Sequence, residues 1–293
     1  MTIKEILPNR TGARRMEAIP EAVLRDLSAG RCETVNLMEW LATDMRKLAL
    51  NVAKSLPEGA PRSALRKAAR EVEGQGITSR LKILGSAIAT CRLDRFGSDF
   101  RVFSEHRSDL VRQWACYAVN DPCWELTLRA RLQSTLAFAS DSNMSVREAA
   151  WMAFRPYVRA NLEESLMLLT GIAGKNDSAR RRFAVEVTRP RSVWGEHLKS
   201  LKHQPELATA LLRKVRRDTS GYVQLAVGNW INDASKSRPD WALQICAEWM
   251  QSPDPNTRKI VARGLRTLRS QRQDATLVGE LFPTSWPTVL EFN

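Results

Sequence analysis

Two acidic residues occupy unusual places in a strongly basic chain, and both are suited to stabilising a positive charge. Glu186 falls in a helix column whose other members are Tyr117, Met152, Asn229 and Gly264. The helical phase of Asp233 places it on the same flank of a successive inner helix. A carboxylate on such a flank can stabilise a cation that develops on a bound molecule. Glu186 and Asp233 are therefore candidate catalytic residues.

Ordinary ion pairing is the alternative interpretation of both acids. Arg182 and Arg189 lie within one helical turn of Glu186 and are suitable partners in a surface network. Lys236 stands in the same relation to Asp233. The sequence leaves both interpretations open for each acid.

Both acids belong to a helical unit that recurs along the chain. A helix is predicted to begin near Val111-Arg112, Val146-Arg147, Arg180-Arg181, Val223-Gln224 and Arg258-Lys259. A small residue follows at a fixed offset, namely Ala115, Ala150, Ala184, Val227 and Ala262. A turn with an aspartate precedes four of these helices, at Asp141, Asp177, Asp218 and Asp254. The spacing is about 34 to 35 residues, with one step of about 43 before Val223.

A period of this length indicates stacked helical pairs, because a single pair cannot bury its own apolar face. The predicted fold is an all-α, HEAT-like helical-repeat superhelix (α-solenoid) with a concave basic face. We expect a single domain over 1–293, since a solenoid core grows by addition. Within it we expect a basic N-terminal segment over 1–31 and divergent N-terminal helices over 32–99. The recognisable repeats are expected over 100–270 and a C-terminal cap over 271–293.

The N-terminal part shows a weaker helical pattern. Apolar residues at three- and four-residue steps predict one long helix over 33–55, and further helices are expected over about 62–73 and 78–91. One short helix that stops at Gly30 is expected before them. Alternating runs rich in β-branched residues are missing, so strand content should be close to nil.

Composition points to a polyanionic partner and against several other classes. The chain has 45 Lys+Arg against 32 Asp+Glu, a net charge of +13 and a pI of about 10.0. A phosphate backbone is the commonest partner of such a charge. The side chains expected to bind such a backbone lie near the starts and inner faces of the repeat helices, and are Arg147, Arg180, Arg181, Arg182, Arg189, Arg191, Lys259 and Arg263.

Other classes find no support. The five cysteines are scattered without a CxxC pair, and the three histidines lack metal-ligand spacing, so we expect no metal, no cofactor and no disulfide framework. No stretch has the length of a membrane span, and the first residues are too polar for a signal peptide. We expect a cytoplasmic monomer of the bacterial cytosol or nucleoid. Phosphate-binding loops and nucleophile elbows are also missing.

Two segments carry a resemblance to a known family. Arg180-Arg-Arg-Phe-Ala-Val-Glu-Val-Thr-Arg-Pro-Arg-Ser-Val-Trp194 combines a basic helix, a Glu, an Arg-Pro pair and a Trp. Tyr222-Val-Gln-Leu-Ala-Val-Gly-Asn-Trp-Ile-Asn-Asp-Ala-Ser-Lys236 follows one repeat later, and Phe154-Arg-Pro-Tyr-Val158 precedes both. Together they resemble the DNA alkylation repair family of HEAT-like repeat DNA glycosylases, the AlkC/AlkD superfamily, and within it the AlkC branch. The resemblance covers roughly residues 100 to 270 well.

The resemblance implies a DNA repair glycosylase that excises positively charged N3- or N7-alkylated purines from duplex DNA. Carboxylates would stabilise the sugar oxocarbenium ion, which assigns that role to Glu186 and Asp233. Trp151, Trp194 and Asn229 are the residues expected to contact the lesion or its sugar. Measured from Val146 at 100° per residue, Trp151 falls away from the core stripe, which predicts an exposed flank or a lid over the next repeat.

One position departs from the AlkC pattern. The resemblance predicts a carboxylate just ahead of the first Arg-Pro pair, and Trp151 stands there. Loss of that acid leaves a second function open, namely a non-catalytic HEAT-like scaffold that binds damaged or branched DNA, or an acidic protein partner.

Overall fold

The computed structural model describes residues 10–251 and 254–270, and every regular element in these ranges is a helix. The prediction of negligible strand content is therefore confirmed for the described residues. No helix within these ranges is long and apolar enough to cross a membrane. The cap predicted over 271–293 lies outside the described residues.

The helices follow one another along the chain, and the site described below uses the connection between α11 and α12. They are α1 Glu21–Ser28, α2 Leu37–Ala42, α3 Met45–Ser55, α4 Ala60–Glu71, α5 Ile77–Ala89, α6 Ser98–Ser104, α7 Asp109–Val119, α8 Leu128–Ala139, α9 Met144–Ala160, α10 Leu162–Ala173, α11 Ser178–Val187, α12 Lys199–His203, α13 Thr209–Val215, α14 Gly221–Ser235, α15 Pro239–Met250, α16 Pro255–Gly264 and α17 Arg266–Ser270. Short 3₁₀ helices cover Met16–Ala18 and Pro205–Ala208.

The prediction of one long helix over 33–55 is wrong, because the chain breaks between α2 and α3. Thr43 adopts an extended conformation, and the Asp44 carboxylate accepts a hydrogen bond from the Lys47 amide at 2.9 Å. An aspartate that caps a new helix competes with continuation of the old one. The stop at Gly30 is confirmed, since this glycine has φ of 70° two residues after α1 ends.

Contacts between Cα atoms divide the chain into two compact units, Met1–Phe154 and Arg155–Asn293. In the first unit α5 packs against α7, and Gly85 makes their close approach possible. A Cβ at Gly85 would lie 2.5 Å from the Tyr117 Cβ and 3.0 Å from the Trp114 carbonyl oxygen. The prediction that 1–293 form a single domain stays a prediction.

The second unit holds the recurring helices around the two acids. α11 packs against α14, and α14 packs against α16, while α10, α13 and α15 supply the second helices of the pairs. Ala184 and Val227 are fully buried on α11 and α14, as the repeat pattern predicts. The small side chain lets successive helices approach, and the core grows by one helical pair at each step.

The aspartate before each repeat helix accepts a hydrogen bond from the amide two residues further on. The bond lengths are 2.8 Å for Asp141, 2.8 Å for Asp177, 2.9 Å for Asp218 and 2.9 Å for Asp254. The predicted role of these aspartates as acceptors for unpaired amides is confirmed. Their charge also suits the positive end of the helix.

The residue at the second position of the repeat fastens its own turn. Arg181 donates from Nη1 to the carbonyl oxygens of Lys175 and Asn176, at 3.0 and 2.6 Å. Arg112 and Arg147 make the same pair of contacts with their own turns. In the fourth copy Gln224 donates to the Asp218 carbonyl oxygen at 2.7 Å.

The same position also joins one repeat to the next. Arg181 forks onto the Asp218 carboxylate at 2.6 and 2.9 Å, and Arg112 forks onto Asp141 at 2.8 and 2.9 Å. Gln224 makes an uncharged version by donating to Asn256 Oδ1 at 3.0 Å. We call these three contacts the inter-repeat latches. They bind a helix to the turn of the following repeat.

Removing the latch at Arg181 should destabilise the protein. We expect Arg181→Ala to lower the free energy of unfolding by about 3 kcal/mol, because it leaves the buried Asp218 carboxylate without its guanidinium. Urea unfolding measures the change. Arg180→Ala is the control, since Arg180 pairs with Asp177 across a half-exposed surface at 3.5 Å. Equal losses for the two variants would contradict the latch.

Candidate functional site

A single guanidinium joins the two acids. Arg189 Nη1 lies 3.0 Å from Glu186 Oε2, and its Nε and Nη2 lie 2.9 and 2.7 Å from Asp233 Oδ2. Glu186 projects from the end of α11 and Asp233 from the last turn of α14. Both residues are buried, with exposures of 3% and 4%. The helical phases therefore bring these two acids to one place, as predicted.

The acids set the charge state of the arginine between them. Burial by itself lowers the pKa of Arg189, but the charges of Glu186 and Asp233 outweigh it, and the pKa lies above the ordinary value. Arg189 thus stays fully charged in a site where its own desolvation is unfavourable.

Further cations surround each carboxylate. Arg182 Nη1 lies 3.3 Å from Glu186 Oε1, and its guanidinium lies over the Tyr222 ring at 4.2 Å from the centroid. Lys236 Nζ lies 3.9 Å from Asp233 Oδ1. The ion pairs that the sequence left as alternatives for the two acids are therefore present.

The loop after α11 carries Arg189, and its backbone is held by Arg155. α9 continues through Pro156 to Ala160, whereas α11 ends at Val187, three residues before Pro190. The earlier end leaves carbonyl groups without helical partners. Arg155, which is 3% exposed, donates to the carbonyl oxygens of Val187, Arg189 and Glu196 at 3.0, 2.7 and 2.8 Å.

The base of this loop has further anchors. Trp230 Nε1 donates to the Thr188 carbonyl oxygen at 3.0 Å and is fully buried, so its predicted packing role is confirmed. Arg191 donates to the Asp233 carbonyl oxygen at 3.2 Å and to Ser237 Oγ at 2.8 Å. A rigid base thus positions the Arg189 guanidinium against both acids.

The tip of the same loop is exposed and apolar. Val193 is 89% exposed and Trp194 is 39% exposed. An exposed aromatic ring is suited to stacking on a base or packing against a sugar. The contact predicted between Trp194 and a lesion stays a prediction.

Trp151 occupies a different environment from the predicted one. It lies in the first unit with an exposure of 6%, and its Nε1 donates to Glu148 Oε2 at 2.7 Å. The prediction of an exposed flank for Trp151 is wrong. Val146, Ala149 and Phe154 are also buried on α9, so this helix buries a wider arc than one apolar stripe.

The other predicted binding residues separate into two groups. Arg147 and Arg181 hold the turns described above. Arg180 is partly exposed in the first turn of α11, and Lys259 is exposed in the middle of α16. Asn229 Oδ1 accepts a hydrogen bond from Arg263 Nε at 2.9 Å. The roles predicted for these residues in DNA binding stay predictions.

The site can bind anions and stabilise cations by different atoms of the same cluster. Its arginines offer forked donors for phosphate oxygens, and its two carboxylates can offset a positive charge. Within the described residues, no three of the His, Cys, Asp and Glu side chains lie together as a metal site would require.

Sequence reasoning missed two residues of this site, namely Arg155 and Tyr222. Arg155-Pro156 and Arg189-Pro190 are one repeat apart, yet one arginine binds carbonyl groups and the other binds carboxylates. The signal that distinguishes them is the point at which each helix ends. An alignment of the repeats that assumes helices of equal length does not show this difference.

Comparison with known proteins supports the fold. The chain matches the structure of Pseudomonas fluorescens alkylpurine DNA glycosylase AlkC bound to DNA containing an abasic site analog, with a TM-score of 0.65 and 18% sequence identity. The match covers 92% of this chain and 68% of that chain. The predicted all-α, HEAT-like repeat fold and its likeness to the AlkC branch are confirmed at the level of fold. The concave basic face stays a prediction.

A curated relative shares part of the sequence. The chain is 30% identical over 149 residues to the uncharacterized protein YhaZ of Bacillus subtilis (strain 168), over 50% of this chain. The aligned part spans 41% of that relative's length. No protein-family model matches the chain.

Replacing Arg155 should loosen the loop. We expect Arg155→Lys to lower the free energy of unfolding by about 2 to 4 kcal/mol, because one ammonium group cannot reach three carbonyl oxygens. Amides of residues 191–197 should exchange with solvent faster. Urea unfolding and hydrogen exchange measure the two effects. Arg213→Lys, at a half-exposed ion pair with Glu248 away from this loop, is the control, and an equal effect there would contradict the assignment.

Proposed function

We propose that this protein is a DNA glycosylase that excises N3- or N7-alkylated purines from duplex DNA. The observation that carries the proposal is the pair of carboxylates, Glu186 and Asp233, held on one arginine beside the loop that exposes Trp194. The fold shared with AlkC supports it, since AlkC is described as an alkylpurine DNA glycosylase.

The chemistry of the lesion suits a site with carboxylates but no strong general acid. An N3- or N7-alkylated purine already carries a positive charge, so the base leaves as a neutral molecule when the glycosidic bond breaks. The charge then develops on the sugar as an oxocarbenium ion. A carboxylate near the sugar stabilises that ion and orients the attacking water, and an aromatic ring can lie against the deoxyribose.

Arg189 must change partners for the acids to act in this way. In the described structure its charge offsets Glu186 and Asp233, so little negative potential is left for the sugar. A DNA phosphate offers the same forked geometry as a carboxylate. We infer that a phosphate of the bound strand draws Arg189 away and leaves both acids facing the lesion.

Backbone binding is assigned to the cations that do not hold the turns of the repeats. Arg180 lies in the first turn of α11 and Lys259 in the middle of α16, while Arg182 and Arg191 lie beside the two acids. Successive repeats space such groups along a strand of DNA. Arg147 and Arg181 contribute less, because their donors already hold the turns of the repeats.

Two observations favour a second function, a scaffold that binds damaged or branched DNA without excision. Trp151 stands where the AlkC pattern places an acid, and it is buried against Glu148. Both remaining acids are ion-paired in the described structure. Release of free base separates the two functions, because a scaffold binds DNA without releasing base.

The first test is base excision by carboxylate variants. Wild type should release 3-methyladenine and 7-methylguanine from methylated duplex in a single turnover. Glu186→Gln and Asp233→Asn each remove a negative charge near the sugar and should slow release by about 10²–10³. DNA affinity should change little. Chromatography of released bases measures the rate.

The matched control is Glu248→Gln, which breaks a half-exposed ion pair with Arg213 in the same unit. It should keep the wild-type rate, and a thermal melt of each variant separates slow chemistry from loss of fold. Wild-type rates in both site variants would show that the two acids are structural. Binding without any release by wild type would favour the scaffold.

The second test concerns salt. If repeat cations bind the DNA backbone, the logarithm of the affinity should fall with the logarithm of salt concentration, with a slope of about −0.9 for each phosphate contact. Arg180→Gln and Lys259→Gln should each reduce that slope by about 1, without sequence preference. Fluorescence anisotropy of a labelled duplex measures it. A flat response would count against DNA as the partner.

A further inference from the structure

Arg263 is held against α14 by two features of that helix. A Cβ at Gly228 would lie 2.8 Å from the Arg263 Cβ and 3.0 Å from its Cγ and Cδ, so only glycine lets the arginine stem lie so close. The next residue, Asn229, accepts a hydrogen bond from Arg263 Nε at 2.9 Å. A glycine inside a helix is unfavourable by about 1 kcal/mol relative to alanine. The fold therefore accepts a local cost that orients this guanidinium.

Arg266 is the first residue of α17 and contacts Arg263 near the end of α16. Its Nη1 donates to the Arg263 carbonyl oxygen at 2.9 Å. The charge of Arg189 acts on both Arg263 and Arg266 and lowers their pKa values. Asp233 is the acid whose charge acts on Arg266, and the Oδ2 atom of Asp233 is bound by Arg189.

Arg263 and Arg266 differ from Arg181 and Arg189 in the direction in which their surroundings shift the pKa. Burial and then the charge of Arg189 lower the pKa of Arg263, and burial and then the charge of Arg263 lower the pKa of Arg266. The pKa values of Arg181 and Arg189 are raised instead, because carboxylates bind them. Cations gathered against their mutual repulsion create a positive potential that a bound anion relieves.

We propose that Arg263 and Arg266, together with Arg189, form a seat for one phosphodiester group of a DNA strand. Gly228 and Asn229 are positioning residues that hold Arg263 in this seat. Asn229 thus acts through Arg263 rather than by touching the lesion. The proposal rests on the proposed function for the identity of the strand, while the seat itself requires only a phosphate oxyanion.

A phosphate in this seat has a consequence for the acids. It lies within the field of Arg189 and competes with Glu186 and Asp233 for that guanidinium. Occupation of the seat is therefore the event that exposes the carboxylates to the sugar. Binding of the strand and activation of the site become one step.

The first experiment uses inorganic phosphate alone as the probe and needs no excision. The melting temperature of wild type should rise with phosphate compared with chloride at equal ionic strength, since a ligand of the native state stabilises it. Arg266→Gln and Gly228→Ala should each weaken phosphate binding about tenfold. Lys214→Gln, which removes one exposed positive charge on α13, should keep the wild-type response.

The second experiment locates the phosphate on DNA that contains an abasic site analogue. Duplexes with one neutral methylphosphonate at successive positions should show one position where wild type loses about tenfold in affinity. The same methylphosphonate should cause no further loss of affinity in Arg266→Gln, because the side chain that binds this phosphate is already missing.

The outcomes separate the seat from the enzyme. A melting response equal in wild type, Arg266→Gln and Gly228→Ala, or no phosphate response at all, overturns the seat, whatever the excision assay gives. Additive losses at every methylphosphonate position also overturn it. A weaker phosphate response in Arg266→Gln and Gly228→Ala, with the response of Lys214→Gln unchanged, supports the seat even if the protein releases no base.

Discussion

The arrangement of the site depends on the ion pair that Arg189 makes on each side. Glu186 belongs to α11 and Asp233 to α14, so the guanidinium connects helices of two successive repeats. Neither acid could be buried at this exposure without a paired cation, because an isolated buried carboxylate is strongly unfavourable. Arg189 in turn depends on the early end of α11 and on Arg155, which satisfies the carbonyl groups that this end leaves. The positions of both acids therefore depend on the residue at which α11 ends.

Four arginines of the second unit fall into three groups according to the oxygen atoms that each guanidinium binds, which belong to backbone carbonyls, carboxylates or a side-chain amide. Arg155 binds only carbonyl oxygens, and burial followed by the charge of Arg189 lowers its pKa to about 10. Arg181 and Arg189 bind carboxylates, and their pKa values are raised. Arg263 binds an amide oxygen, and its pKa is lowered. Net charge alone gives the same weight to all four arginines, although their surroundings shift their pKa values in different directions.

Much of the fold follows from the sequence, because a repeat of about 35 residues leaves few alternatives to stacked helical pairs. The capping aspartates and the column that contains Glu186 follow from the helical period in the same way. The break at Asp44 does not follow from the sequence pattern, because the apolar residues keep the same helical spacing across it. A local hydrogen bond that caps the second helix causes the break. Trp151 also could not be placed, since one stripe at 100° per residue describes a helix with a single buried face. The ion pairs of the site depend on side-chain conformations of arginine, which spacing leaves open.

The inter-repeat latches differ in chemistry from one repeat to the next, so the junctions between repeats differ in their sensitivity to salt. At Arg181 the latch is an ion pair with Asp218, which dissolved ions screen. At Gln224 the latch is an amide pair with Asn256, which has no net charge to be screened. Rising ionic strength therefore weakens the junction between the repeats of α11 and α14 more than the junction between α14 and α16.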